Sequence, residues 1–257
     1  MDNLNLLFNK TYYENLGIKS GDDLEKDFLE KNDKLFKTTF NPITDYKASE
    51  LTDENGSFRL MTTYPGLIIG SSNPHGAKTV DSDINIGFSL DYVTGQPFIP
   101  GSSVKGTLRS YFKTLEKRNA IRQILGRIKC CEYRDEEIKL IEEEIFDGED
   151  VFFDAVIARG GFHNEIIGPD FITPHSSPVN NPVPILIMKV IPDVVFEFRF
   201  DLKNQGILDK RTKLELFKTV LMLFGIGSKT NVGYGRLIEE QEVPEEFRGN
   251  RLFSRGM

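Results

Sequence analysis

Two short segments hold the residues best suited to chemistry. The first, Pro97 to Ser110, reads PFIPGSSVKGTLRS. A Pro–Gly turn delivers a helix that Ser102 or Ser103 can cap, with Lys105 and Arg109 in its first turns. Free backbone N–H groups and the helix dipole favour an anion at such an end. Two cations one turn apart on the same side add a phosphate clamp. Thr107 follows Gly101 and Gly106 where a nucleotide-binding loop needs lysine, so nucleotide hydrolysis is rejected. The plain alternative is a capped surface helix with solvent-facing bases.

The second segment, Gly225 to Leu237, reads GIGSKTNVGYGRL. A dinucleotide fingerprint would need glycine where Thr230 stands and a strand before the loop, whereas a helix pattern precedes it. Glycines permit positive φ and close backbone approach to a ligand. Lys229, Thr230, Asn231 and Tyr234 suit sugar, phosphate and base contacts, and Gly227, Ser228 and Arg236 complete this candidate set. The plain alternative is a helix cap and a tight turn.

Other reactive residue types are scattered. His75, His163 and His175 lie far apart in loops and read as surface histidines. Asp81 and Asp83 could coordinate a divalent ion, although two acids before a strand are common. Asp154 falls in a strand pattern, paired or edge-facing. Phe196, Phe198 and Phe200 could stack bases, but the RNA-recognition signature is missing and a buried face fits better. No Ser–His–Asp or Cys–His spacing is present. Cys130 and Cys131 are adjacent, which suits neither an unstrained disulfide nor a zinc site, so they read as inert packing thiols.

These residues need a frame. Phe58 to Gly70 reads as extended, with Pro65 at a bend. Ile84 to Tyr92 alternates at strand period. Val104, Leu108, Tyr111, Phe112 and Leu115 predict one amphipathic helix, along which Lys105, Arg109, Lys113 and Lys117 form a basic ridge. A second helical run carries Ile121, Ile124, Leu125 and Ile128. Asp135 to Phe146 predicts an acidic helix with Ile138, Ile141 and Ile145 inward. Val151 to Ala158 and Ile185 to Leu202 predict strands, and Lys210 to Phe224 a helix with Leu214, Phe217, Leu221 and Phe224 on one face. Val232 to Glu240 predicts a last strand.

With the insertions removed, the order is β-α-β-β-α-β, a ferredoxin-like or RNA-recognition-motif-like α+β core. The boundaries read as an N-terminal, partly helical extension over 1–57 and a core over 58–243. The core holds a helical insertion at 119–150 and a proline-rich excursion at 162–184, with five prolines, and a tail covers 244–257. Within the extension, Asp22 to Phe40 reads as a helix stopped by Asn41–Pro42.

Composition narrows the function classes. The 257 residues carry a net charge of −7, with 39% hydrophobic and 28% charged residues, as in a folded globular chain. Phe98 to Cys130 holds eight Lys/Arg against one acid, and Glu132 to Asp150 ten acids against two bases. Such blocks can attract each other, bind polyanions locally or dock a basic neighbour. No apolar run of about 18 residues could span a membrane, and the amino-terminal residues lack a secretory pattern. Both point to the cytoplasm.

Together, PFIPGSSVKGTLRS and GIGSKTNVGYGRL resemble the RAMP superfamily of CRISPR-associated proteins, from about Phe58 to Glu240. The resemblance is strongest to the sixth-subunit branch of type III-B Cmr effector complexes, which NLNLLFNKTYY near the start also suits. It implies a RAMP core whose glycine-rich loop faces an RNA path beside the helix that follows the PGSS turn. It implies CRISPR RNA and target RNA as partners, with a place near the guide's 3′ end. The neighbours would be the backbone, small helical and first Cmr subunits. A hairpin between the second and third core strands would act as a thumb interrupting the guide–target duplex, and Phe162 to Pro184 takes that place. Neither catalysis nor a cofactor is implied. In the sister backbone subunit, an aspartate before the corresponding turn cuts target RNA with a metal. Asp81 and Asp83 fall in a comparable stretch, so a metal-dependent endoribonuclease is the alternative.

Overall fold

A computed structural model of the chain describes residues 3–14, 22–41, 56–70, 85–172, 185–204 and 206–240. Among these, seven strands form one sheet: β1 (Ser57–Thr62), β3 (Ser89–Leu90), β4 (Pro97–Ile99), β5 (Val151–Phe152), β6 (Ala155–Arg159), β9 (Val195–Asp201) and β10 (Leu237–Glu239). Its order is β10-β1-β9-β6-β4-β3, with β5 added beside β9. The central four, β10-β1-β9-β6, are antiparallel throughout and give the 4-1-3-2 order of the ferredoxin-like fold. A second sheet joins β2 (Asn85–Ile86), β8 (Ile185–Val190) and β7 (Ile167–Ile172) in the order β2-β8-β7. β7 and β8 are the arms of a hairpin lying between core strands β6 and β9.

Three helix starts have identifiable caps. In α4 (Leu115–Lys129), the Thr114 hydroxyl accepts from the Lys117 N–H, Glu116 lies in the first turn, and Arg127 and Lys129 lie in the last. That charge order complements the helix dipole. α5 (Asp135–Phe146) opens with three acids, and Glu137 accepts from the Arg134 N–H at 2.7 Å. α6 (Lys210–Phe224) is capped by Asp209, which accepts from the Thr212 N–H at 2.8 Å.

One core holds these layers together. Phe200 on β9 meets Phe58, Phe152 and Phe217 with ring centroids 5.3–5.6 Å apart. Phe58, Phe200 and Phe217 are buried, and each such ring contributes about 1.5–3 kcal/mol. Phe196, Phe198 and Phe200 are all buried, so this aromatic row packs inward. The alternate residue Glu197 pairs with Arg59 instead. The amino-terminal segment, read as an extension ahead of the core, feeds the same core. α1 (Leu4–Asn9) buries Leu4 and Phe8, and α2 (Asp22–Phe36) buries Leu35.

Several local expectations are corrected. The predicted single helix through Leu115 breaks after α3 (Gly101–Ser110), and Leu115 is exposed at the start of α4. The basic ridge is broken with it, because Lys113 lies in the turn and Lys117 on the next helix. The alternating Ile84–Tyr92 run splits at Gly87, whose N–H donates to Met188 O, so β2 and β3 join different sheets. Ile185–Leu202 is two strands, turning at Pro192–Asp193. On α6 the buried face includes Lys213, Leu216 and Val220, while Leu214 and Phe224 are half-buried. Lys213 is drawn inward by Asp150, at 2.7 Å with both side chains almost fully buried. Cys130 and Cys131 are exposed rather than packed. No helix among the described residues is long and apolar enough to cross a membrane.

Candidate nucleic-acid interface

α3 starts at Gly101, with Pro100 in the capping position and no side-chain cap bond. Ser102 and Ser103 therefore lie inside the first turn, which corrects the expectation that one of them caps it. Gly101 is needed because a Cβ there would collide with the Phe152 carbonyl oxygen. Its N–H donates to the Asp154 carboxylate at 2.7 Å, and the N–H groups of Ser103 and Val104 donate to Pro100 O. Asp154 lies in the break between β5 and β6 rather than within a strand. The anion expected at this helix end is thus supplied in part by the protein itself.

The cations of this segment are also engaged. Arg109 makes a two-pronged contact with Asp147, at 2.8 and 2.7 Å, and reaches Glu142 at 3.3 Å. The Asp147 hydrogen bonds hold the guanidinium above its already high ordinary pKa, outweighing desolvation. Lys105 lies 5.6 Å from the centre of the Phe152 ring, a cation–π distance. Arg118 bonds Asp135 at 2.8 Å, and Lys129 pairs with Asp209. Arg109, Lys113, Arg118 and Lys139 share a cleft of about 420 Å³ with Glu142, Glu143 and Asp147. That mixed lining is not an anion site. The basic and acidic blocks largely neutralise each other.

The glycine-rich segment is built differently. Tyr111, just past α3, stacks on Phe224 at 4.3 Å, and the loop begins at the next residue after Phe224. Gly235 has φ +69°, and a Cβ there would collide with Ile226 O. The Ile226 N–H donates to Gly235 O at 2.9 Å, closing the loop on itself. At Gly227 a Cβ would strike Ile68 O. The close approach that glycine permits is therefore to the chain's own backbone. The Ser228 N–H donates to Ile68 O at 2.8 Å, the Gly235 N–H to Gly66 O at 2.8 Å, and the Thr63 N–H to Arg236 O at 3.1 Å.

On this fixed loop Gly227, Ser228, Lys229, Asn231 and Arg236 are exposed, and Thr230 is half-buried. Among the described residues, neither Lys229 nor Arg236 has a carboxylate partner. Tyr234 points inward: it is 8% exposed, packs with Ile68 and Ile187, and its hydroxyl donates to Asp170 at 2.5 Å. Its expected contact with a base is not available in this position. Burial and the neighbouring Asp170 carboxylate push the Tyr234 phenol well above its ordinary range. Burial pushes Asp170 upward, but the Lys189 ammonium at 2.6 Å and the Tyr234 hydroxyl outweigh it. The carboxyl therefore ends below its ordinary value. Lys189 also faces the rings of Tyr234 and Tyr64, at 5.7 and 6.0 Å.

The structure thus brings the loop candidates together at one end of α6. Among the described residues no hydrogen bond joins them to Ser102, Ser103, Lys105 or Arg109. His163 is exposed; His75, His175, Asp81 and Asp83 lie outside the described residues, as does the stretch 173–184 between the hairpin arms. Among the described residues no group of three or more His, Cys, Asp or Glu could hold a metal ion. The sequence reading missed Tyr64, Asp170 and Lys189. A lysine inside the apolar run ILIMKV was the available signal, because a charge there needs a buried partner.

The chain matches the RAMP superfamily model over residues 59–238. The Cmr6 subunit of the CRISPR system Cmr of Pyrococcus furiosus is 26% identical over 262 aligned positions, covering 80% of this chain and 73% of that protein. Cmr6 of Saccharolobus solfataricus is 30% identical over 179 positions, covering 68% of this chain and 54% of that protein. A chain in the solved type III-B Cmr-beta complex bound to cognate target RNA shares the fold, with a TM-score of 0.52 and 21% identity. That likeness covers 93% of this chain and 87% of the other. Fold order, motif placement and the extent of the family match agree, and the chain belongs to the RAMP superfamily.

Proposed function

We propose that this chain binds single-stranded RNA as a non-catalytic subunit of a type III-B CRISPR effector complex. The observation that carries the reading is the exposure of Lys229 and Arg236 on a loop held by its own backbone bonds. Cations on a pre-formed loop can meet phosphates without first breaking an internal ion pair. Exposed Ser228 and Asn231 add hydrogen-bonding groups for sugar or base edges. In this reading the ligands are CRISPR RNA, held toward its 3′ region, and the target RNA paired with it. The β7–β8 hairpin is the thumb, and the protein neighbours are the backbone, small helical and first subunits. The likeness to Cmr6 subunits supports the assignment to this kind of complex.

The test is a titration of the full chain into labelled single-stranded RNA with Mg²⁺, at low and moderate salt. Intact RNA with salt-sensitive binding is expected. Lys229→Ala combined with Arg236→Ala should weaken binding and flatten the log–log salt slope by about 1.4, at about 0.7 per phosphate contact on a single strand. An unchanged slope would remove the loop from the interface. Cut RNA would replace this reading with the nuclease one and make Asp81 and Asp83 the first residues to substitute.

A further inference from the structure

We propose that Tyr64 is a nucleobase-stacking platform beside the glycine-rich loop, so that the RNA at this point presents an unpaired base to its ring. The inference rests on the RNA-binding reading above and specifies which part of the ligand the site takes.

Tyr64 is 61% exposed, yet its place relative to the loop is fixed on both sides. Thr63 donates through its N–H and its hydroxyl to Arg236 O, at 3.1 and 3.3 Å. Gly66 O accepts from the Gly235 N–H at 2.8 Å. A large ring on anchored backbone loses little freedom when it binds, unlike a ring on a loose loop. Lys189, itself only 9% exposed and tied to Asp170, lies 6.0 Å from the ring. An ammonium at that distance attracts an aromatic ring and steadies it from the protein side. The loop that this backbone braces exposes Lys229, Arg236 and Val232, the last 62% exposed.

An aromatic ring among cations is the combination that binds single strands, the cations following the backbone while bases stack. A protein partner would also bury a tyrosine. However, protein interface cores are depleted in lysine, whereas the loop braced against this backbone exposes Lys229. The ring also supplies what the buried Tyr234 cannot, an aromatic surface open to a base.

The chain contains no tryptophan, so Tyr64→Trp installs a single indole reporter at the site. The probes are a short oligoadenylate and the abasic ribose-phosphate backbone of the same length, each titrated into the full chain. The wild type should prefer oligoadenylate. Tyr64→Ala should lower that affinity roughly five- to a hundred-fold, leaving the abasic affinity and the salt slope unchanged. Tyr64→Trp should bind like wild type, with emission quenched by oligoadenylate and not by the abasic strand. Wild-type affinities in Tyr64→Ala, or unquenched emission at saturating oligoadenylate, would overturn the platform alone. A wild type that binds neither probe would overturn the RNA-binding reading and the platform with it.

Discussion

The α3 segment and the glycine-rich loop look equally ready for phosphate when read as strings, and fold into opposite electrostatic states. On α3 and α4, Arg109, Arg118 and Lys129 are met by Asp147, Asp135 and Asp209, and Asp154 occupies an N–H at the helix start. On the loop, Lys229 and Arg236 stand exposed with no carboxylate partner among the described residues. A count of cations along a segment therefore does not measure the charge offered to a ligand. The acidic helix α5, inserted after the basic block, neutralises one region and leaves the other alone.

The largest effect concerns the frame that carries both regions. Asp150, at the end of the acidic block, holds Lys213 of the helix leading to the loop. Asp150→Ala leaves a buried ammonium without its carboxylate and should cost about 3–5 kcal/mol. Urea unfolding measures this, and a loss under about 1 kcal/mol would show that the regions do not share this support. Next in size is the Asp209 cap, where Asp209→Ala should cost about 1 kcal/mol. The Lys129 ammonium and the Thr212 donors lower the Asp209 carboxyl to about 2 from an ordinary 3.8. With the folded-state value depressed, its contribution is complete above about pH 4 and is lost as pH falls toward about 2. Stability of wild type and Asp209→Asn, followed by circular dichroism from pH 5 downward, should converge in that window. The smallest effect is the most diagnostic. Arg109→Ala should leave RNA affinity within about two-fold, because an ion-paired guanidinium has little charge to offer. A loss as large as that of the loop double variant would return α3 to the interface.

Much of the frame was legible. The β-α-β-β-α-β order, the bounds of α5 and α6 and the buried phenylalanine row follow from local periodicity and turn chemistry. What escaped depends on residues distant in sequence. Asp154 and Gly101 meet across 53 positions and Tyr234 and Asp170 across 64, so neither the real cap of α3 nor the inward turn of Tyr234 could be read from its own segment. The α6 face was misplaced because Lys213 reads as a solvent residue until Asp150 is set beside it. The break at Tyr111–Thr114 was hidden by an apolar spacing that continues across it, although Thr114 is a good helix cap. Of the proposed RNA-binding residues, the exposed loop cations could be picked out from the sequence, whereas Tyr64 could not, because its exposure is a property of the packed chain.

Leu67 to Ile69 bond to three separate parts of the molecule in consecutive residues. Leu67 exchanges both of its backbone bonds with Val190 of the hairpin, Ile68 O takes the Ser228 N–H of the loop, and the Ile69 N–H reaches Gly87 O. No single one of these bonds opens without loosening the strip that the other two share. In native-state hydrogen exchange, the amides of Leu67, Ile69, Val190 and Ser228 are expected to open as one cooperative unit. The hairpin and the glycine-rich loop then breathe together, and whatever quiets one protects the other.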